Sequence, residues 1–243
     1  MTPSAGHLVV LPDPPSVART AAERLAATLR DRLGRGGAAT IALSGGNTPR
    51  DAYTGLARAP GIDWPRVEVF WVDERAVAPT DDRSNYRWAK ATLIDGAHLA
   101  PASIHRMPAD EGDLEAAARE YEATIRSRVA KGPDGVPSFD AVVLGVGDDG
   151  HTASLFPGEA TVDIEDRWVV AVAASGSREA RLTITRPVIQ RAAHVFVLAV
   201  GKAKRPALER AWAAEGDLHA TPSRLIAQCR GAVTWIVDEA AIR

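Results

Sequence analysis

Short apolar runs alternate with longer amphipathic segments along most of this chain, and this alternation restricts its fold more than any other feature. The apolar runs predict strands at 7–11, 40–43, 67–72, 139–144, 168–173, 194–200 and 233–237. The segments between them predict helices at 16–33, 49–58, 84–94, 113–130, 186–192 and 202–214. Because strands separated by helices pair in parallel, we predict a Rossmann-like α/β fold, with a largely parallel sheet and helices on both faces. No repeat or linker divides the chain, so we expect residues 1–243 to form a single domain.

The composition excludes several classes of protein. The 243 residues carry a formal net charge of −2, which gives no electrostatic reason to expect nucleic acid or an anionic membrane as a partner. The N-terminal segment lacks the basic and apolar regions of a signal peptide, and no apolar span of about 18 residues occurs. Cys229 is the only cysteine, so neither an internal disulfide nor a cysteine metal cluster can form. We expect a cytoplasmic protein that acts as a monomer.

A glycine-rich turn with two aspartates and a histidine follows the predicted strand 139–144. Its sequence, over residues 145–158, is GVGDDGHTASLFPG. Ligands bind at the carboxyl ends of strands in open α/β sheets, and glycines allow the backbone to approach a ligand closely. Of the six histidines, His151 alone stands in such a context, and an imidazole can change its protonation near neutral pH. The turn therefore predicts a catalytic site.

The first six residues of this turn also match GxGxxG, the fingerprint of dinucleotide-binding sites. That fingerprint requires a helix at its last glycine, whereas Gly150 is followed by a short segment that ends in Pro157. Asp148 and Asp149 would also face the negative pyrophosphate. A GxSxG nucleophile elbow, a Walker phosphate loop and paired histidines for zinc are absent from the sequence. We therefore predict neither a dinucleotide site nor a metal site.

Two further loops follow predicted strands. The first reads SGGNTP over 44–49, where we predict that Thr48 caps a helix that begins at Pro49. Backbone N–H groups at such a helix start favour an anion, although a tight turn without a ligand would have the same sequence. The second loop contains Asp73, Glu74 and Arg75 and follows the strand 67–72. Taken singly, it is better explained as a solvated acidic loop, and it gains interest only because the other two loops converge on the same sheet edge.

Together these segments resemble the 6-phosphogluconolactonase family, whose reaction is the hydrolysis of 6-phospho-D-glucono-1,5-lactone. The matching strings are SGGNTP at 44–49, DER at 73–75, SNY at 84–86, GVGDDGHTASLFPG at 145–158, RLT at 181–183 and GKAK at 201–204. They occur in family order and span most of the chain. The string at 145–158 is highly specific, and the others are supportive.

The resemblance implies a role for each matching residue. His151 would act as a general base on water, Asp149 would orient the imidazole, and Arg75 would counter the charge on the carbonyl oxygen. The substrate and its phosphate would be bound by Ser44, Gly45, Gly46, Asn47, Thr48, Arg181 and Lys204. The partner would be a small sugar-phosphate lactone, and the reaction would need no metal and no organic cofactor.

Two other functions stay open at this point. Glucosamine-6-phosphate deaminase, which also isomerises its substrate, shares the fold and has a similar turn. It carries a tyrosine where this chain has Arg75, and an Asn-Glu-Pro-like sequence where this chain has SLFP at 154–157. A non-catalytic sugar-phosphate sensor would need the phosphate ligands but not His151. Each of these features favours the lactonase.

Overall fold

The computed structural model describes residues 2–243, and its strands form a six-stranded sheet and a three-stranded sheet. The strands are β1 His7–Leu11, β2 Ala39–Leu43, β3 Val67–Trp71, β4 Asp73–Arg75, β5 Ala141–Gly145, β6 Val169–Val172, β7 Arg181–Ile184, β8 His194–Ala199 and β9 Ala232–Asp238. The larger sheet has the order β1-β9-β8-β5-β2-β3, and all of its neighbouring strands run parallel. The prediction of an α/β fold with a largely parallel sheet is therefore confirmed.

Helices flank this sheet close to the predicted positions. They are α1 Pro14–Gly34, α2 Asn47–Ala57, α3 Asn85–Ala89, α4 Leu114–Arg128, α5 Arg186–Arg191 and α6 Arg205–Trp212. The helix predicted over 84–94 divides into α3 and a π-helical turn at Lys90–Ile94, and the helix predicted over 202–214 begins with a 3₁₀ turn at Lys202–Lys204. Within residues 2–243 no helix is long and apolar enough to cross a membrane.

Helix α1 illustrates how the sequence builds the layer against the sheet. The Asp13 side chain accepts a hydrogen bond from the backbone N–H of Ser16 at 2.8 Å, and this satisfies a group that has no partner within the helix. Its apolar residues recur with helical spacing, and Val17, Leu25 and Leu29 are fully buried. This face packs against β8, β9 and α2.

The smaller sheet is antiparallel, in the order β4-β7-β6, and it differs from the sequence prediction. The strand predicted at 168–173 belongs to this sheet as β6, not to the parallel sheet. The segment from Asp73 to Arg75 is a strand and not a loop, because after Val72 the chain turns and pairs with β7. The interpretation as a solvated acidic loop is also wrong, since Asp73 and Glu74 are only 5% and 4% exposed.

The direction of chain progression reverses between β2 and β5. From β2 the chain continues to β3 on one side, and it later returns to β5 on the other side of β2. The loops at the carboxyl ends of these two strands therefore diverge and open a crevice, which is where open α/β sheets bind ligands. This topology places the loops 44–49 and 145–158 next to each other.

Candidate active site

A cleft of about 390 Å³ lies in the crevice between β2 and β5. Its walls come from the loop after β2, from β4 and β7, from the start of α3, from the turn after β5 and from the segment after β8. The lining residues are Ser44, Gly45, Gly46, Asn47, Thr48, Pro49, Asp73, Arg75, Asn85, Gly145, Val146, Gly147, His151, Ala153, Arg181, Leu198, Val200 and Lys204. The three loops that the sequence analysis singled out therefore meet in one cleft.

The turn after β5 holds His151 against Asp149. The N–H of Gly147 donates to the carbonyl of His151 at 2.8 Å, which closes the turn. Asp149 Oδ1 accepts a hydrogen bond from the backbone N–H of His151 at 3.1 Å and lies 2.6 Å from its Nδ1. A Cβ on Gly147 would overlap the imidazole, and Gly150 has a φ of +96°. Both glycines are thus required by the conformation of the turn.

The contact with Asp149 places a carboxylate beside one ring nitrogen of His151. Burial alone would raise the pKa of Asp149, but hydrogen bonds from His151 and the charge of its ring outweigh burial and lower that pKa. In the neutral imidazole, a proton on Nδ1 would be donated to this carboxylate, and Nε2 would then carry the lone pair. Within residues 2–243 no group hydrogen-bonds to Nε2, and the ring packs on Phe156 at 4.6 Å between centroids.

The loop after β2 brings backbone N–H groups to the cleft. Gly46 is the N-cap of α2 with a φ of +106°, and no side chain caps the helix. The prediction that Thr48 is the cap is wrong because the chain enters the helix at Gly46, which leaves Thr48 within the first turn. Tyr53 fixes the start of the loop, since its hydroxyl accepts from the N–H of Ser44 and donates to the carbonyl of Ser44, both at 3.0 Å. The first turn of α2 can therefore offer its N–H groups to an anion.

Two arginines lie opposite each other on neighbouring strands of the smaller sheet. Arg75 on β4 pairs in register with Arg181 on β7, and both line the cleft. Burial, with a contribution from Arg75, lowers the pKa of Arg181, although Asp73 opposes this shift. Like charges directly opposite each other on neighbouring strands are destabilising. A pair of this kind beside a cleft indicates an anionic ligand.

The other charged groups of the cleft are partly neutralised within the protein. Asp73 Oδ2 accepts from Ser154 Oγ at 2.5 Å and from Arg181 Nη1 at 3.4 Å, whereas Arg181 Nε is buried and has no hydrogen-bond partner within residues 2–243. Lys204 Nζ lies 2.7 Å from Asp148 Oδ1. The cleft thus combines a buried carboxylate with cations that retain hydrogen-bonding capacity.

The structure brings the residues proposed from the sequence together. His151, Arg75 and all of the proposed substrate-binding residues line the cleft, and Asp149 lies behind His151. The sequence alone indicated no role for Asp73 or Asn85. The SNY string at 84–86 could have pointed to Asn85 as a site residue. The string does not show, however, which groups the Asn85 side chain contacts. Within residues 2–243 no group of three His, Cys, Asp or Glu side chains could hold a metal ion.

Sequence comparisons place the chain in one family. The family model described as glucosamine-6-phosphate isomerases/6-phosphogluconolactonase matches residues 12–235. The chain is 40% identical over 205 residues to the 6-phosphogluconolactonase of Synechocystis sp., a match that covers 84% of each protein. It is 35% identical to the 6-phosphogluconolactonase of Nostoc sp., over 96% of this chain and 95% of the relative.

Solved structures show the same fold. The 6-phosphogluconolactonase from Leishmania guyanensis superposes with a TM-score of 0.86 and 27% identity, covering 98% of this chain and 97% of that one. A monomeric glucosamine-6-phosphate deaminase superposes with a TM-score of 0.81 at 19% identity, covering 97% and 98%, and at this identity the likeness concerns the fold alone. Because the family model spans most of the sequence and the curated relatives are 35–40% identical, the chain belongs to the glucosamine-6-phosphate isomerase/6-phosphogluconolactonase family.

Proposed function

We propose that this protein is a lactonase that hydrolyses 6-phospho-D-glucono-1,5-lactone to 6-phospho-D-gluconate, in the oxidative branch of the pentose phosphate pathway. The observation that carries the proposal is the His151–Asp149 pair, at 2.6 Å, in the wall of a cleft that also contains Arg75 and Arg181. The names of the curated relatives support the same reaction.

In this mechanism His151 is the general base. Its Nδ1–H donates to Asp149, so Nε2 accepts a proton from the water molecule that attacks C1 of the lactone. The ionised Asp149 stabilises the imidazolium that forms. A lactone is an activated ester, so a positioned base suffices and contributes about 10²–10⁴-fold to the rate.

Arg75 stabilises the tetrahedral intermediate. As the water oxygen bonds to C1, the electron pair of the carbonyl moves onto its oxygen, and the guanidinium of Arg75 offsets the resulting negative charge. When the intermediate collapses, the bond between C1 and the ring oxygen breaks. The ring oxygen then takes the proton from His151, which returns the imidazole to its neutral form and completes the ring opening.

The remaining polar groups of the cleft bind the phosphate and the sugar. Arg181 lines the cleft, and its Nη2 has no hydrogen-bond partner within residues 2–243, which suits a phosphate oxygen. The phosphate is remote from the reacting bond, so its binding energy holds C1 against the base. The proposed ligands of the phosphate and sugar are Ser44, Gly45, Gly46, Asn47, Thr48, Arg181 and Lys204.

The isomerase and deaminase chemistry is not favoured. If a carboxylate moved the proton between the sugar carbons, Asp73 would be the candidate, because it is the carboxylate that lines the cleft. Its oxygens are occupied by Ser154 at 2.5 Å, Asn85 at 3.2 Å and Arg181 at 3.4 Å. A non-catalytic sugar-phosphate sensor would not need an imidazole paired with a carboxylate, such as His151 with Asp149.

The test is a direct assay of the purified protein. Freshly prepared 6-phosphogluconolactone should be hydrolysed well above its spontaneous rate, measured by acid release at constant pH. Glucosamine 6-phosphate in a parallel reaction should release no ammonia. Ammonia release without lactone hydrolysis would contradict the proposal in favour of the deaminase, and sugar-phosphate binding with neither activity would favour a sensor.

We also propose that residues 1–243 act as one domain, as a monomer and in the cytoplasm. Buried residues of both sheets, such as Val143 on β5 and Leu182 on β7, belong to one continuous apolar core, which supports a single folding unit. Residues of this chain supply the base, the carboxylate beside it and the arginines of the proposed reaction, so the mechanism requires no residue of a partner subunit. Light scattering coupled to size-exclusion chromatography should give the mass of one chain, 25.8 kDa.

A further inference from the structure

Asn85, the first residue of α3, is only 5% exposed although it borders the cleft. Its carboxamide makes hydrogen bonds in two directions. Nδ2 donates to the backbone carbonyl of Asp73 at 2.9 Å and to Asp73 Oδ1 at 3.2 Å, and Oδ1 accepts from Arg75 Nη1 at 2.9 Å. A planar amide provides both a donor and an acceptor at fixed angles, which a hydroxyl or a carboxylate cannot do in the same way.

The backbone of Asn85 is itself anchored. The buried carboxylate of Glu74 accepts from the N–H of Asn85 at 2.8 Å, from the N–H of Tyr86 at 2.7 Å and from Ser84 Oγ at 2.9 Å. These bonds tie the start of α3 to β4, the strand that carries Arg75. The carboxamide therefore has a defined position before any ligand binds.

Gly45 shows that the loop after β2 makes room for this carboxamide. A Cβ on Gly45 would overlap Asn85 Oδ1, whereas the φ of Gly45 is not in the left-handed region. The position thus requires glycine for space and not for its backbone conformation. Asn85 joins three walls of the cleft, namely the loop after β2, β4 and α3.

Arg75 needs such a partner because of where it lies. It stands opposite Arg181 in the register of β4 and β7, and repulsion between the two guanidinium groups favours other rotamers of Arg75. Its Nη1 is held by Asn85 and by the carbonyl of Arg83, the latter at 2.6 Å. Nε and Nη2 of Arg75 have no hydrogen-bond partner within residues 2–243, and they remain free for a substrate oxygen.

From this geometry we infer that Asn85 is a positioning residue, which holds the Arg75 guanidinium where it can stabilise the tetrahedral intermediate. The inference rests on the proposed lactonase reaction and deepens it. Asn85 acts through Arg75, because its Nδ2 donates to Asp73 and its Oδ1 accepts from Arg75.

A double-mutant cycle tests the inference. Asn85→Ala should lower kcat for the phosphorylated lactone about ten- to a hundredfold, the range for losing a hydrogen bond to a charged group, with KM changed less than about threefold. In an Arg75→Ala background the same substitution should lower kcat by less than about twofold. Equal losses in the two backgrounds, or a rise in KM with kcat unchanged, would overturn the inference.

Ser84→Ala is the matched control for a loosened helix start. Ser84 Oγ accepts from the N–H of Arg87 at 3.1 Å, which caps α3, and donates to Glu74 Oε2 at 2.9 Å, but it does not contact Arg75. The N–H groups of Asn85 and Tyr86 keep their bonds to Glu74 in this variant. This variant should have a lower Tm and a kcat within about threefold of wild type. If Ser84→Ala lost as much kcat as Asn85→Ala, the lower kcat of Asn85→Ala would be explained by fraying of α3, and the positioning role would be overturned. If Asn85→Ala does not fold, Asn85→Ser keeps a small polar group there that is too short to reach Arg75, and the same cycle applies.

A measurement without turnover separates this inference from the proposed function. In NMR spectra of the arginine side chains, the guanidinium of Arg75 should show restricted rotation in the wild-type protein. That restriction should be lost in Asn85→Ala and kept in Ser84→Ala. Restricted rotation that survives Asn85→Ala would overturn the positioning role even in an active lactonase. A wild-type protein that does not hydrolyse the lactone would instead contradict the proposed function.

Discussion

His151 and His105 each form a hydrogen bond to a carboxylate, in two different regions of the molecule. His105 Nε2 lies 2.9 Å from Glu68 Oε2, and its ring is 10% exposed and stacks on Phe70 with 4.5 Å between centroids. His151 Nδ1 lies 2.6 Å from Asp149 Oδ1, and its side chain is 30% exposed at the cleft. The two pairs share their chemistry but not their surroundings.

The comparison shows that pairing with a carboxylate does not make a histidine a base. Burial lowers the pKa of His105 more than Glu68 raises it, so the ring stays neutral and serves as a packing group. In both rings the nitrogen that does not contact the carboxylate has no protein partner within residues 2–243, but the ring of His151 borders the cleft and that of His105 does not. The position of the free nitrogen, and not the ion pair, distinguishes the catalytic candidate.

The largest expected effect is that of His151→Ala. If His151 is the general base, kcat should fall at least about a hundredfold while Tm stays close to that of wild type. His219→Ala is a matched control, because His219 Nε2 pairs with Asp163 at the same 2.6 Å but outside the cleft, and its kcat should stay within about twofold of wild type. Near-normal turnover by folded His151→Ala would contradict the assignment of His151 as the general base, and His151 would then be no different in function from His105 and His219.

The next effect concerns the arginine pair. Arg181→Ala should lose about ten- to a hundredfold in kcat/KM on the phosphorylated lactone, as expected for one charged hydrogen bond, and far less on unphosphorylated gluconolactone. Arg178→Ala is the control, since Arg178 lies 3.9 Å from the centroid of Phe156 and pairs with Glu159 but does not line the cleft. Equal losses by Arg181→Ala on both lactones would mean that Arg181 does not contact the phosphate.

A smaller effect is expected in the pH dependence of stability, and it concerns His105. The pKa of His105 is lowered in the folded protein, so below about pH 6.5 the unfolded chain binds a proton that the folded chain does not. The free energy of unfolding should therefore decrease as pH falls below about 6.5, with no contribution from His105 above it. In urea titrations, His105→Gln should reduce this decrease, because the variant lacks the imidazole whose pKa is lowered by burial. An unaltered pH dependence in His105→Gln would contradict the assignment.

The smallest expected effect is that of chelation. If His151 and not a bound ion activates the water, prolonged treatment with EDTA should leave kcat unchanged. The control is a zinc hydrolase inactivated under the same conditions. Loss of activity that Mg²⁺ or Zn²⁺ restores would transfer the activation of water from the imidazole to a metal-bound hydroxide.

Much of the fold could be predicted because its signals are local. The apolar runs ending at Leu43 and Leu144 and the amphipathic spacing of α1 depend on a few neighbouring residues each, and their bounds were predicted within two residues. The smaller sheet was not predicted. β4 has only three residues, all charged, and it becomes a strand through its pairing with β7, more than a hundred residues later.

The sequence by itself determined the α/β class and the turn that carries the proposed base, because the strand, the glycines and the pair Asp149 and His151 lie within a few residues of one another. Only the tertiary structure decided that Arg75 faces Arg181 and that the Asn85 carboxamide holds Arg75. The contacts of Arg75 depend on how a three-residue strand pairs and on where α3 begins. Local patterns carry no information on either, because cross-strand register and the packing of one loop on another are properties of the assembled chain.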